Sequence, residues 1–184
     1  MRMTSAFIPA GSGIPRLATR PRTIVRAVHV LASVGWLGLV VVMLVLSAAA
    51  LTTDDGTVMH FVYQLMDRIG SPVIPIFAVT TLVTGFGLSV ATPWGLLRHW
   101  WIVIKLVVSL AVIMTGAALT GNWIQQAIDD PIAPARWLLS STAVVHLLML
   151  ASAMIISVNK PWGKIRPRRP AASSRSRRVL LQSQ

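Results

Sequence analysis

Residues 27–51 form an apolar run of 25 residues that contains no Asp, Glu, Lys or Arg. Because a helix rises about 1.5 Å per residue, this run can cross a hydrocarbon layer of about 30 Å. Apolar stretches of similar length follow at residues 72–91, 100–120 and 137–158, and Lys105 is the one charged residue among them. The pattern predicts an all-α integral membrane protein, a four-helix bundle over residues 23–161.

Composition narrows the classes of function. Hydrophobic residues make up 54% of the 184 and charged residues 12%, which is too apolar for a soluble globular domain. The chain has no cysteine, so disulfides and thiolate metal sites are excluded. The predicted spans contain no Asp or Glu, which disfavours an ion-coupled transporter. No phosphate-binding loop, serine elbow or zinc-binding helix motif is present, so catalytic residues stay unknown and enzyme activity stays open.

Basic residues set the predicted orientation. Thirteen of the 17 Lys and Arg lie within residues 2–26 and 160–178, and Arg98 lies between the second and third predicted spans. Since Lys and Arg beside a span stay on the cytoplasmic side, both termini are predicted to be cytoplasmic. Residues 1–22 and 162–184 are predicted to be disordered tails. The basic tails favour contact with the lipid bilayer and its anionic headgroups, not with nucleic acid.

The segment between the first two predicted spans has helical periodicity. Its apolar residues share one face of a helix: Val58, Phe61, Val62, Leu65 and Ile69. This pattern predicts a short amphipathic helix in the first outer loop, separate from a second span that begins near Pro72. Two interpretations are open, a lid packed on the bundle and a ligand role for His60.

Three ionisable residues lie inside the predicted spans: His29, Lys105 and His146. Such groups are costly in hydrocarbon unless they find a partner or reach water. Lys105 either extends to the headgroups or pairs within the bundle, and His29 is either interfacial or a ligand. His146 lies near the midplane and either bonds a neighbouring hydroxyl or binds a cofactor. Helix rise separates the two histidines by roughly 10 to 15 Å along the membrane normal, so we do not expect them to share a metal.

Several short motifs resemble a known family. The segments His29-Val30-Leu31, Trp36-Leu37-Gly38 and Trp101 through Lys105-Leu106 resemble the bacterial CopD-like superfamily, and residues 91–96 and 98–100 resemble an uncharacterised four-helix family within it. The resemblance covers about residues 24–162 and implies a multi-pass protein of the bacterial inner membrane, without an established activity. One alternative that it implies is copper transport or resistance through methionine or histidine ligands, for which the predicted spans offer Met43, Met149 and Met154.

A more distant resemblance is to the HemJ-type protoporphyrinogen oxidases. Their first span has a His followed by Trp and Gly, and their third has a Lys-Leu pair, which are similar to His29, Trp36, Gly38 and Lys105 here. The Arg and following His of that family's first helix have no counterpart after Gly38. The resemblance implies haem binding, and haem b is the implied cofactor.

The candidate cofactor-binding residues are therefore His29, Trp36, Lys105 and His146, with His29 as the metal ligand. Ser33 and Trp36 share the helix face of His29 and are expected to orient its ring and to cover a flat macrocycle. A third hypothesis is a non-enzymatic role, in which the protein forms a homo-oligomer or binds another membrane protein.

The charge pattern generates a prediction about topology. Reporter fusions at residue 184 and in the segment near Asp130 are expected to report opposite sides of the membrane, because the basic tails stay inside. Alkaline phosphatase and fluorescent-protein fusions measure this directly. A C-terminal fusion that is active only outside the cytoplasm would contradict the predicted orientation.

Overall fold

The computed structural model describes residues 7–8, 16–17, 19–91, 100–130 and 132–159. These residues are helical apart from short connections and one antiparallel pair of two-residue strands, β1 (Phe7–Ile8) and β2 (Arg16–Leu17). The predicted C-terminal tail, the predicted inner loop at 92–99 and most of the predicted N-terminal tail lie outside the described residues.

The helices follow in chain order as α1 (Thr19–Thr52), α2 (Gly56–Ala91), α3 (Trp100–Thr115), a π-helical turn (Gly116–Thr120), α4 (Gly121–Asp129) and α5 (Ala135–Asn159). The backbone stays helical on both sides of the π-helical turn, so residues 100–129 form one long helical segment. In the described part of the chain, four helical segments are long and apolar enough to cross a membrane. The four predicted spans are thereby confirmed, and the chain is a multi-pass helical membrane protein.

Helix boundaries differ from the prediction in three places. α1 begins at Thr19, inside the predicted N-terminal tail, and the third span continues nine residues beyond residue 120, through α4. The prediction of a separate amphipathic helix is wrong, because α2 runs without interruption from Gly56 to Ala91 and contains Pro72 and Pro75. Both prolines lie on the less buried side of α2. They remove two backbone donors, which membrane helices tolerate when neighbouring packing holds the chain.

Packing on both sides of the prolines holds α2 together. Met43, Ala50, Met59, Val62, Tyr63, Met66, Ile124, Ala127 and Leu139 form the loop-end cluster. Trp36, Val40, Ala78, Val112 and Leu150 form the central cluster. Ile74 packs against both clusters, so side-chain contacts continue across Pro72 and Pro75.

The ends of the bundle are named from the connections. Residues 53–55 and the α4–α5 connection, which includes Asp130, lie at one end, called here the loop end. At this end Asp55 Oδ1 accepts hydrogen bonds from the amides of Thr57 at 2.8 Å and Val58 at 3.3 Å, which caps the start of α2. The opposite end, where α1 and α3 begin and α5 ends, is called the terminal end.

The buried face of the first turns of α2 differs from the apolar face that the sequence predicts for this segment. Met59, Val62, Tyr63 and Met66 are buried, whereas Val58 and Phe61 are exposed. Apolar residues lie on more than one side of this segment. The periodicity of the sequence therefore does not identify which side is packed. The packed face lies against α1 and α4, so this segment is packed on the bundle. The remaining apolar surface is the kind that a lipid solvent covers.

Gly35 sets the distance between α1 and α2. A Cβ atom at this position would lie 2.4 Å from the Phe77 ring, closer than any non-bonded contact allows. Glycine therefore permits the close approach of the two helices, as small residues do in membrane bundles.

We predict that Gly35→Ala destabilises the protein by about 1–3 kcal/mol, because Phe77 must leave its place. Thermal unfolding in detergent measures the change. Gly38→Ala is the matched control, since a Cβ there meets nothing within 4 Å and its free energy of unfolding should hold or rise. Equal losses in both variants would contradict the packing argument. In a Phe77→Ala background, the further cost of Gly35→Ala should be smaller than in the wild type.

Candidate functional site

α2 fixes the imidazole of His29 in one orientation. His29 Nδ1 lies 3.1 Å from the carbonyl oxygen of Thr81 and 3.0 Å from Thr84 Oγ1. A carbonyl oxygen accepts only, so Nδ1 carries the proton and donates it. The Thr84 hydroxyl donates to the carbonyl of Thr80, so its oxygen also accepts from Nδ1–H. The neutral ring therefore keeps its lone pair on Nε2.

Gly85 provides the space in which this ring lies. A Cβ at Gly85 would lie 2.9 Å from His29 Cε1 and 3.4 Å from Nδ1. The ring edge thus packs directly against the α2 backbone, and a larger residue would push it away. Thr81 and Gly85 position the ring, and sequence reasoning missed both of them.

The expected orienting residues have other roles. The Ser33 hydroxyl donates to the backbone carbonyl of His29 at 2.7 Å, so it contacts the chain and not the ring. Trp36 is 2% exposed and packs within the central cluster. Core residues cover the Trp36 side chain, so packing is sufficient to explain a tryptophan at this position.

Lys105 is paired inside the bundle. Its Nζ donates to Ser157 Oγ at 2.9 Å, which joins α3 to α5. The sequences of α1, α3 and α5 contain no Asp or Glu, so these helices offer Lys105 no carboxylate. The result is a half-buried cation at the same end of the bundle as His29, which suits an anionic group on a ligand.

His146 bonds across to α3. Its Nε2 lies 2.8 Å from Thr115 Oγ1, and the Thr115 hydroxyl donates to the carbonyl of Ala111 at 2.7 Å. The hydroxyl has a single proton, so Nε2–H of His146 is the donor to its oxygen. This confirms that His146 bonds to a neighbouring hydroxyl. The π-helical turn begins at the next residue, Gly116, where a Cβ atom would lie 4.0 Å from His146 Cε1.

The structure does not bring the two span histidines to one ligand. His29 is bonded to α2 and His146 to α3. Across the described ranges, no three side chains of His, Cys, Asp or Glu are grouped in a way that could hold a metal ion. Two of the candidate copper ligands also lie apart, with Met43 in the loop-end cluster and Met149 against the central cluster.

His60 connects α2 to α4. Its Nδ1 lies 3.2 Å from the carbonyl oxygen of Ile128, and its Nε2 lies 3.0 Å from Gln64 Nε2. The carbonyl is an acceptor, so Nδ1 donates to it and Nε2 accepts from the Gln64 amide. Both ring nitrogens are used, and a structural role accounts for this residue.

Comparison with known proteins adds no further constraint. No protein-family model, curated protein or solved structure matches this chain. A proposal about function therefore rests on the site itself. Within the described residues, the site with an oriented and chemically available donor is the one formed by His29, Lys105 and Ser157 at the terminal end.

The His146 bond generates a matched pair of variants. Thr115→Val is expected to destabilise the protein by about 1–3 kcal/mol, because it leaves a buried imidazole N–H without an acceptor. Thr115→Ser keeps the hydroxyl and should lose much less. Denaturant or thermal unfolding in detergent measures both variants, and combining Thr115→Val with His146→Leu should remove the penalty. Equal stability of the Val and Ser variants would show that the bond contributes nothing.

Proposed function

We propose that this is a haem-binding membrane protein in which Nε2 of His29 would hold the iron of haem b. The observation that carries the proposal is the hydrogen bond from His29 Nδ1–H to the Thr81 carbonyl. Metal-binding histidines commonly donate their second ring N–H to a backbone carbonyl, which fixes the tautomer and raises the basicity of the ligating nitrogen. The hydrogen bond from His29 Nδ1–H to the Thr81 carbonyl has this arrangement.

The surrounding residues fit such a group. Haem b carries two propionates, and Lys105 with Ser157 offers a cation and a hydroxyl at the same end of the bundle as His29. A propionate would neutralise Lys105, which lacks a carboxylate partner from α1, α3 and α5. Gly85 has no side chain, so the imidazole of His29 can lie against the α2 backbone in this orientation.

The roles of the chain's own residues follow from these contacts. When bound, haem would supply one-electron chemistry, which its histidine ligand would tune. Thr81 and Thr84 hold the imidazole by its Nδ1 proton, so Nε2 stays unprotonated. Lys105 and Ser157 would hold the anionic groups of haem, and Trp36 acts through the core packing that holds α1 in register.

The family resemblance supports the same proposal. The motifs similar to the CopD-like superfamily and to the HemJ-type oxidases include His29 and Lys105, which both lie toward the terminal end here. In this proposal the protein resides in the bacterial inner membrane with its terminal end in the cytoplasm, where the basic tails meet anionic headgroups. Copper transport is not proposed, because Met43 and Met149 lie in separate core clusters.

The proposal is tested by the Soret absorbance per protein of the wild type, His29→Ala and His146→Ala, purified from the same haem-replete cells. We expect a Soret band in the wild type and in His146→Ala, and its loss in His29→Ala. Loss in His146→Ala alone would move the site to α5. Absence of the band from the wild type would remove haem binding altogether.

A backbone control separates ligand orientation from general damage. Gly85→Ala is expected to lower haem occupancy, because its Cβ would displace the His29 ring, whereas Gly87→Ala meets nothing within 4 Å and should retain it. Unfolding curves of the apoproteins show whether both variants fold. If Gly85→Ala folds and keeps full occupancy, the orientation of His29 by α2 is not needed for binding.

A further inference from the structure

α2 carries polar side chains on its exposed side at a depth where α1 is apolar. Asp67 is half-buried and Arg68 is exposed, and Gln64 and Ser71 are exposed one turn away on either side. The sequence predicts an outer loop for these residues, ahead of the second span. Because α2 is one helix from Gly56 to Ala91, the structure changes the depth at which they lie.

The depth follows from the contact of α2 with α1. The two helices run antiparallel from their short connection, and a Cβ atom at Gly70 would lie 3.7 Å from Met43 Cε. Arg68 precedes Gly70 by two residues, so it lies about level with Val45, which is 61% exposed on α1. The apolar run of α1 ends only at Leu51. Arg68 therefore lies roughly 9 Å inside the end of that run.

Charges at this depth need a partner. Ionisable groups in hydrocarbon are costly unless they are paired, and neighbouring residues on a helix do not face each other. In the part of the chain that the structure describes, neither Asp67 nor Arg68 has a hydrogen-bond or ion-pair partner for its side chain. The long Arg68 side chain can extend toward the headgroups, but the short Asp67 side chain cannot. The partner of Asp67 therefore comes from outside this part of the chain.

We propose that two copies of this chain form a dimer through α2, in which Asp67 of each copy pairs with Arg68 of the other. Copies with the same orientation in a membrane place equivalent residues at equal depth, and a two-fold interface makes each contact twice. The four charges then sum to zero. A lipid headgroup would pair with Arg68 and leave the Asp67 carboxylate unpaired, whereas a second copy satisfies both.

The spacing of the exposed residues fits a pair of parallel helices. Exposed positions recur along this side of α2 with steps of three and four residues, at Phe61, Gln64, Arg68, Ser71 and Pro75. This is the repeat by which two helices interlock side chains. A residue at the position of Arg68 then enters a hole whose wall includes the preceding residue of the second copy, which is its Asp67. The dimer does not depend on the haem proposal.

A single introduced thiol tests the interface, because the chain has no cysteine. Ser71→Cys places a thiol on the proposed interface, whereas Val45→Cys and Val145→Cys place it on exposed positions of α1 and α5. Full-length variants in native membranes are oxidised with copper phenanthroline and separated by non-reducing electrophoresis. We expect a disulfide-linked dimer with Ser71→Cys and monomers with both controls. Equal crosslinking of all three variants, or none with Ser71→Cys, would overturn the proposal.

Charge reversal decides whether the named pair forms the contact. In the Ser71→Cys background, Arg68→Asp leaves each copy with two acidic residues and Asp67→Arg leaves it with two basic ones. Each variant alone should crosslink roughly tenfold less, because like charges then meet across the interface. Coexpression of the two variants with tags of different size should restore a mixed dimer, which also shows that both fold. A mixed dimer no more abundant than either homodimer would overturn the pairing.

Discussion

The pairing of α1 with α2 is the contact on which the rest of the structure depends. Apolar helices in a lipid solvent gain little by hiding hydrophobic surface, so close packing and a few polar contacts select their partners. α1 supplies Trp36 to the central cluster, Met43 to the loop-end cluster and His29 to the α2 backbone. Gly35 allows these contacts to form together, because the two helices meet where it has no side chain. A shift of one helical turn would lose all of them.

Hydroxyl groups contribute less to this selection than their number suggests. Many bond to a carbonyl of their own helix one turn away, as Ser33, Ser89 and Ser141 do. A hydroxyl that bonds within its own helix does not contribute a hydrogen bond to the neighbouring helix. Ionisable side chains make the contacts between helices, with His29 joining α1 to α2 and Lys105 joining α3 to α5. The residues that join the helices by hydrogen bonds therefore include the ionisable residues of the spans.

The two ends of the bundle differ in the chemistry that they leave available. At the terminal end His29 presents an unprotonated ring nitrogen, and Lys105 is a cation to which α1, α3 and α5 offer no carboxylate. At the loop end His60 uses both ring nitrogens in hydrogen bonds to Ile128 and Gln64. Between them, Trp36 and its neighbours form a packed apolar layer.

By itself the sequence determined the four spans and the ionisable residues within them, because the cost of placing a residue in hydrocarbon is a local property of each segment. It did not determine which faces meet. Phe61 is exposed and Tyr63 buried on the same helix, and α2 continues through Pro72 although proline usually marks a boundary. The partners Thr81 and Gly85 became visible only in the packed structure. When a helix is apolar on several sides, its sequence does not show which side is packed. The acceptor of His29 is therefore decided by the register of α1 on α2, which only the tertiary structure provides.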